Sequence, residues 1–146
     1  MSVMATKGVP HTAMLELNVP YTIVEAYEFT REQNELVCQA FESSNPVHLK
    51  RGVVPGNLVT GWITERLRDW ALTYPQFSGK TQVVLNQMSS ITFLEPVWVG
   101  RPVRLVVAVI SMSPEHLEFC VELGRVGANR VALTGIFGGG IVRSAQ

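Results

Sequence analysis

Two hydrophobic periods divide this 146-residue chain. Near the start, Tyr21 to Tyr27 (YTIVEAY) is rich in β-formers and predicts a first strand. The period then changes. Thr30 followed by Gln33 has the spacing of a capping box. Leu36, Val37, Ala40 and Phe41 then recur at helical spacing, with Glu32, Glu35 and Gln39 toward the other side. This predicts a helix from Thr30 to Ser43 or Ser44, ended by Asn45-Pro46. After an irregular loop, Leu58, Val59, Trp62, Ile63, Leu67, Trp70 and Ala71 form a wide apolar stripe edged by Glu65, Arg66, Arg68 and Asp69. A second helix should start near Gly56 or Asn57, with Asn57 as its cap, and stop before Pro75. So wide a stripe predicts a helix largely enclosed by other structure, with Trp62 and Trp70 in its core face.

Past Gly79 the pattern is that of strands: Gln82–Leu94, Pro102–Ser113, Leu117–Gly124 and Val131–Val142. Turn signals separate them at Glu95-Pro96 to Pro102, Ser113-Pro114 and Gly127-Ala128-Asn129. Connections this short predict antiparallel neighbours and a long meander. Gly138-Gly139-Gly140 inside the last strand reads as a bulge or a close backbone approach. The fold class is α+β, with helix packed on one face of a curved antiparallel sheet in a single domain over 1–146. Residues 1–18 read as a loose lead-in.

Composition narrows the function classes. Hydrophobic residues make up 47% and charged residues 16%, a globular balance. Twelve basic and twelve acidic residues cancel, so nothing draws the chain as a whole toward nucleic acid or an anionic membrane. No apolar run reaches the ~20 residues of a membrane span, and no secretory leader pattern is present; a cytoplasmic location is the default expectation. Cys38 and Cys120 show no zinc-type spacing and read as free thiols, so no metal is expected.

Of the three histidines, His11 and His116 fall in the lead-in and in a predicted hairpin turn, where solvation is the simpler reading. His48 lies in the loop between the helices, and an imidazole can take or give a proton near neutral pH. The same loop runs into Gly56 at a helix start, where amides without intrahelical partners carry partial positive charge. Such amides can hold a developing oxyanion. A plain helix-start glycine is the alternative reading.

FESSNPVHL (Phe41 to Leu49), VVPGNL (Val53 to Leu58) and ITFLEPVWVG (Ile91 to Gly100) together resemble segments of MaoC-like hydratases. Phe41 to Leu49 (FESSNPVHL) is similar to the family's D-x-N-P-I/V-H-L motif, and Val53 to Leu58 (VVPGNL) to its I-V-H-G-M-L segment. Ile91 to Gly100 (ITFLEPVWVG) resembles its F-x-x-P-V-x-x-G-D turn. The resemblance spans roughly residues 20 to 143 and implies a hot-dog fold, a long central helix wrapped by the sheet. It implies a homodimer that binds acyl groups carried on coenzyme A or carrier protein and hydrates a 2-enoyl thioester. Coenzyme A or phosphopantetheine would be part of the substrate, and no separate cofactor is expected.

By position, His48 matches the catalytic histidine and Gly56 the oxyanion glycine. Asn45 matches the motif asparagine, Thr64 falls where hydratases carry a hydroxyl, and Asn57 at the helix start joins the substrate-binding set. Three departures stand out. The motif aspartate is Ser43 here, which cannot serve as a carboxylate base, and Glu42 beside it would need a local backbone change to replace it. The segment from His48 to Gly56 is shorter than the overhang of typical hydratases, and Arg101 replaces the aspartate after the later turn. Arg101, with Lys50, Arg51 and Arg104, could meet a phosphate of the carrier. Trp62 and Met88 are bulky enough to shorten an acyl tunnel. Three functions stay open: a hydratase/dehydratase using His48, Gly56 and Ser43; a thioesterase; or a non-catalytic thioester-binding partner subunit.

Overall fold

The computed structural model describes residues 22–72, 81–128 and 130–143. The lead-in, His11, Tyr21, Pro75 and Gly79 lie outside the described residues. Among the described residues, five strands and three helices follow in the order β1 (Thr22–Tyr27), α1 (Arg31–Ala40), α2 (Pro46–Leu49), α3 (Gly56–Ala71), β2 (Thr81–Phe93), β3 (Val103–Met112), β4 (His116–Arg125) and β5 (Val131–Arg143).

The strands form one antiparallel sheet in the order β1-β3-β4-β5-β2. The meander expected from short turns therefore holds only for β3, β4 and β5. β2 leaves its sequence neighbour β3 and pairs along β5 instead. The short connection after β2 can do this because main-chain bonds carry it across the end of the sheet. Leu94 and Glu95 donate to the Ala132 carbonyl, Val99 to Gly52 and Gly100 to Phe29, while Val53 bridges Trp98. A short loop fixes how far apart two strand ends lie, not that the strands pair.

α3 supplies the helical side of the core. Val59, Ile63, Leu67 and Ala71 are fully buried against Leu105, Val107, Phe119, Val121, Leu123, Leu133 and Phe137 of the sheet. The enclosed stripe read from the sequence is thus confirmed, including Trp62, which stacks on Tyr27 at 4.9 Å, and Trp70, which packs on Phe119 at 5.5 Å. Odd-numbered β4 residues from Leu117 to Leu123 face this core. Cys120 points to the other side; burial and the nearby Glu122 push its thiol above the ordinary range.

The triple glycine marks a close approach. A Cβ on Gly139 would overlap the Val84 carbonyl oxygen, and one on Gly135 would overlap the Ile91 side chain. Both contacts come from β2, which bulges where Ser89 pairs with Ile136 and Thr92 with Thr134. Ser90 in that bulge has φ 54°. His116 is not in a turn: it opens β4, with its ring 3.9 Å from the Glu118 carboxylate.

Candidate active site

α1 begins as its sequence dictates. The Thr30 hydroxyl accepts from the Gln33 amide and the Gln33 side chain accepts from the Thr30 amide, a complete capping box. The buried face differs from the one expected. Leu36 and Phe41 are 65% and 69% exposed, whereas Asn34 and Cys38 are buried. The reason lies in what α1 packs on. Its inner neighbours include main-chain carbonyls of the following loop, and a buried carbonyl needs a donor. Asn34 supplies it, donating from Nδ2 to His48 O at 3.3 Å and Val53 O at 3.1 Å.

The helix ends at Phe41 in a Schellman turn, with Glu42 donating to Gln39 and Ser43 to Cys38. Glu42 takes the left-handed position, φ 54°, where glycine is the residue without a steric penalty. This turn sends the Glu42 side chain to solvent and Ser43 inward. Glu42 is not among the residues lining the cavity described below, so it does not take over the position of a missing carboxylate. Glu42→Gly is expected to stabilise the protein by about 0.5–1 kcal/mol, measured as a higher urea midpoint, with thioester chemistry unchanged. A lower midpoint would show that the carboxylate has a partner that outweighs the backbone strain.

The loop expected after α1 contains a helical turn, α2. Asn45 caps it, its Oδ1 accepting from the Val47 amide at 3.0 Å, and Pro46 takes the first helical position. Asn45 therefore shapes the loop and does not line the cavity. The turn lifts His48 so that its Nδ1 lies 2.8 Å from the Val53 carbonyl oxygen. A carbonyl only accepts, so this contact places a proton on Nδ1, and in the neutral ring the lone pair is then on Nε2.

α3 starts at Gly56, with Pro55 as the cap residue. Asn57 cannot cap, because it is already the second residue of the helix, and no side chain caps it at all. Leu58 and Val59 donate back to the Pro55 carbonyl. The amides of Gly56 and Asn57 have no intrahelical acceptor, and the helix dipole adds positive potential there.

These pieces meet around a cavity of about 330 Å3 lined by Val37, Cys38, Phe41, Ser43, His48, Pro55, Gly56 and Asn57. The structure thus brings together His48, Ser43, Gly56 and Asn57. It keeps the other expected site residues away. The Thr64 hydroxyl donates to the Thr60 carbonyl at 2.9 Å, inside its own helix. Arg101 stacks on Trp98, its guanidinium 5.1 Å from the ring centre, outside the cavity. A neighbouring groove of about 430 Å3 shares Val37, Phe41 and Asn57 and runs between α1 and α3 past Gly61 and Trp62. Trp62, but not Met88, lines it. Phe93 of β2 lies over the helix start: a Cβ on Gly56 would sit 3.3 Å from its ring.

Sequence reasoning missed Asn34. It is polar and sits between exposed glutamates, and its partners are backbone atoms far along the chain. The one available signal is its spacing, four residues before buried Cys38.

No protein-family model and no curated protein sequence matches this chain. Solved structures do match. The (R)-hydratase from A. caviae involved in PHA biosynthesis superposes with a TM-score of 0.61 at 19% identity, over 86% of this chain and 96% of that one. The fluoroacetyl-CoA thioesterase FlK gives 0.68 at 10% identity, over 86% and 87%. A 1,4-dihydroxy-2-naphthoyl-CoA thioesterase from Synechocystis gives 0.59 at 13% identity, over 85% and 83%. At these identities the likeness establishes the hot-dog fold.

Proposed function

We propose that this hot-dog domain holds an acyl thioester with its carbonyl oxygen on the Gly56 amide and moves water across the 2,3-bond of the acyl group. The observation that carries this reading is the shared cavity: an imidazole with a free Nε2 and an uncapped helix start border one space. In hydration, Nε2 takes a proton from water while the oxygen attacks C3 of the enoyl group. The electron pair moves to the thioester oxygen, where helix-start amides stabilise it. The imidazolium then returns its proton to C2. Ser43 orients the water through its hydroxyl. Asn57 borders both spaces and fits a role in seating the acyl group or its carrier arm. Arg101, exposed beside Trp98, is a fitting contact for a carrier phosphate.

Two further parts of the reading concern partners. Among the described residues β2 ends the sheet and exposes Val84, Met88 and Phe93, an apolar edge of the kind a second copy covers. We therefore read the protein as a homodimer through this edge. Among the described residues no helix is long and apolar enough to cross a membrane.

Thioester hydrolysis is the second reading. Among the described residues no carboxylate lines the cavity, and two of the superposing structures are thioesterases. The same imidazole would then direct water at C1. Crotonyl-CoA and 3-hydroxybutyryl-CoA separate the two, with enoyl absorbance and free thiol followed in parallel. Loss or gain of the enoyl band without thiol is the expected result. Thiol release alone would establish hydrolysis, and binding without either would establish a carrier role. Ser43→Asp restores a carboxylate at the cavity wall and is expected to raise the hydration rate by about 10²-fold or more, the lower range for a general acid–base group. An unchanged rate would show that position 43 does not meet the water.

A further inference from the structure

We infer that Asn34 is a positioning residue that fixes the tautomer and direction of the His48 ring. The inference rests on reading His48 as the proton carrier of the proposed reaction. Asn34 is 1% exposed, and its Nδ2 spans two carbonyls, His48 O and Val53 O. The second of these is also the acceptor for His48 Nδ1, at 2.8 Å. One side-chain amide thus grips the backbone of the histidine and the carbonyl that holds its ring.

The orientation of that amide is determined by its partners. Turned over, it would set Oδ1 against two carbonyl oxygens, all acceptors. In the orientation observed, Oδ1 is buried and has no hydrogen-bond partner among the described residues. Leaving an acceptor unpaired in the interior is costly. Fold stability alone would favour a side chain without that defect, so the donor pair is the feature the position provides. Its effect is to stop the Val53 carbonyl from turning. A freely turning carbonyl would release Nδ1–H, and the proton could then move to Nε2. That tautomer presents a donor to the cavity where an acceptor is needed to take a proton from water. Outer partners that fix a histidine are worth about 10–100-fold in function at metal sites, and a similar loss is expected here.

Nitrogen-15 NMR of the histidine rings tests this on the whole protein. In the unaltered chain His48 should show protonated Nδ1 and bare Nε2. The Asn34 side-chain protons should exchange slowly and give a cross-peak to His48 Nδ1–H. In Asn34→Leu the ring should become a mixture of tautomers, and kcat should fall about 10-fold or more with KM little changed. Ile63→Val, which weakens the core away from the loop, should leave the tautomer as it was. A ring that keeps its tautomer in Asn34→Leu overturns the inference whatever the activity. If that variant does not fold, fast exchange of the Asn34 amide protons in the unaltered protein overturns it equally. Absence of hydration with the tautomer pattern intact would instead count against the proposed reaction alone.

Discussion

His48→Ala is expected to hydrate crotonyl-CoA about 10²–10⁴ times more slowly than the unaltered protein at neutral pH, the range for a general acid–base group. Among the described residues bordering the cavity, the imidazole is the side chain best suited to taking and returning a proton at that pH, ahead of the Cys38 thiol. Its Nδ1–H is committed to Val53, which leaves Nε2 as the ring nitrogen able to take a proton. The loss should appear in kcat and kcat/KM together, because proton transfer belongs to the transition state. Folding should survive. The lost ring bond is worth about 0.5–1.5 kcal/mol, and the Val53 carbonyl keeps its bond from Asn34. A thermal melt on the same samples checks this. A fall below tenfold in a folded variant would show that the proton takes another route.

Gly139→Ala is expected to destabilise the protein by about 3 kcal/mol or more, the upper range for overpacking. Gly139 pairs with Leu85, and its missing Cβ is what lets β2 and β5 come so close. The atoms in the way are the Val84 carbonyl and the Leu85 Cα, at 2.8 Å for the latter. Both are backbone, so no rotamer change can relieve the clash, and β2 must move away. The neighbouring Gly140 provides the control. A Cβ there would meet only the Glu115 carbonyl at 3.7 Å, ordinary contact distance. Gly140→Ala should change stability by less than about 1 kcal/mol. Urea unfolding of both variants decides the matter; similar midpoints would mean that the two strands are not this close. The effect bears on function, because β2 carries Phe93 over the start of α3.

Features governed by local chemistry are legible in the sequence. The Thr30–Gln33 capping box, the start of the long helix at Gly56, its enclosed apolar stripe and the close approach at the glycine run all follow from residues a few positions apart. The pairing of His48 with Gly56 across one cavity is also readable, through the N-P-x-H and helix-start segments. What stays hidden depends on partners distant in the chain. The inward face of α1 is set by carbonyls 14 and 19 residues beyond Asn34, and no hydrophobic pattern records a carbonyl. Helical spacing turns Leu36 and Phe41 into the core because apolar residues usually pack; here both are largely exposed, Phe41 at the rim of the cavity. The crossing from β2 to β3 is likewise invisible, since its anchors are main-chain bonds to Gly52, Phe29 and Ala132. Thr64 enters the site by analogy alone, and its hydroxyl is engaged within the helix.

The proposed reaction requires a thioester carbonyl on the amide of Gly56 within reach of His48. Titration of nitrogen-labelled protein with butyryl-CoA, a saturated thioester that cannot take up water across the chain, tests it without turnover. The backbone signals of Gly56 and Asn57 and the ring nitrogens of His48 should shift together, saturating at one concentration. Saturating shifts confined to other parts of the molecule, with Gly56 and His48 unmoved, would contradict it.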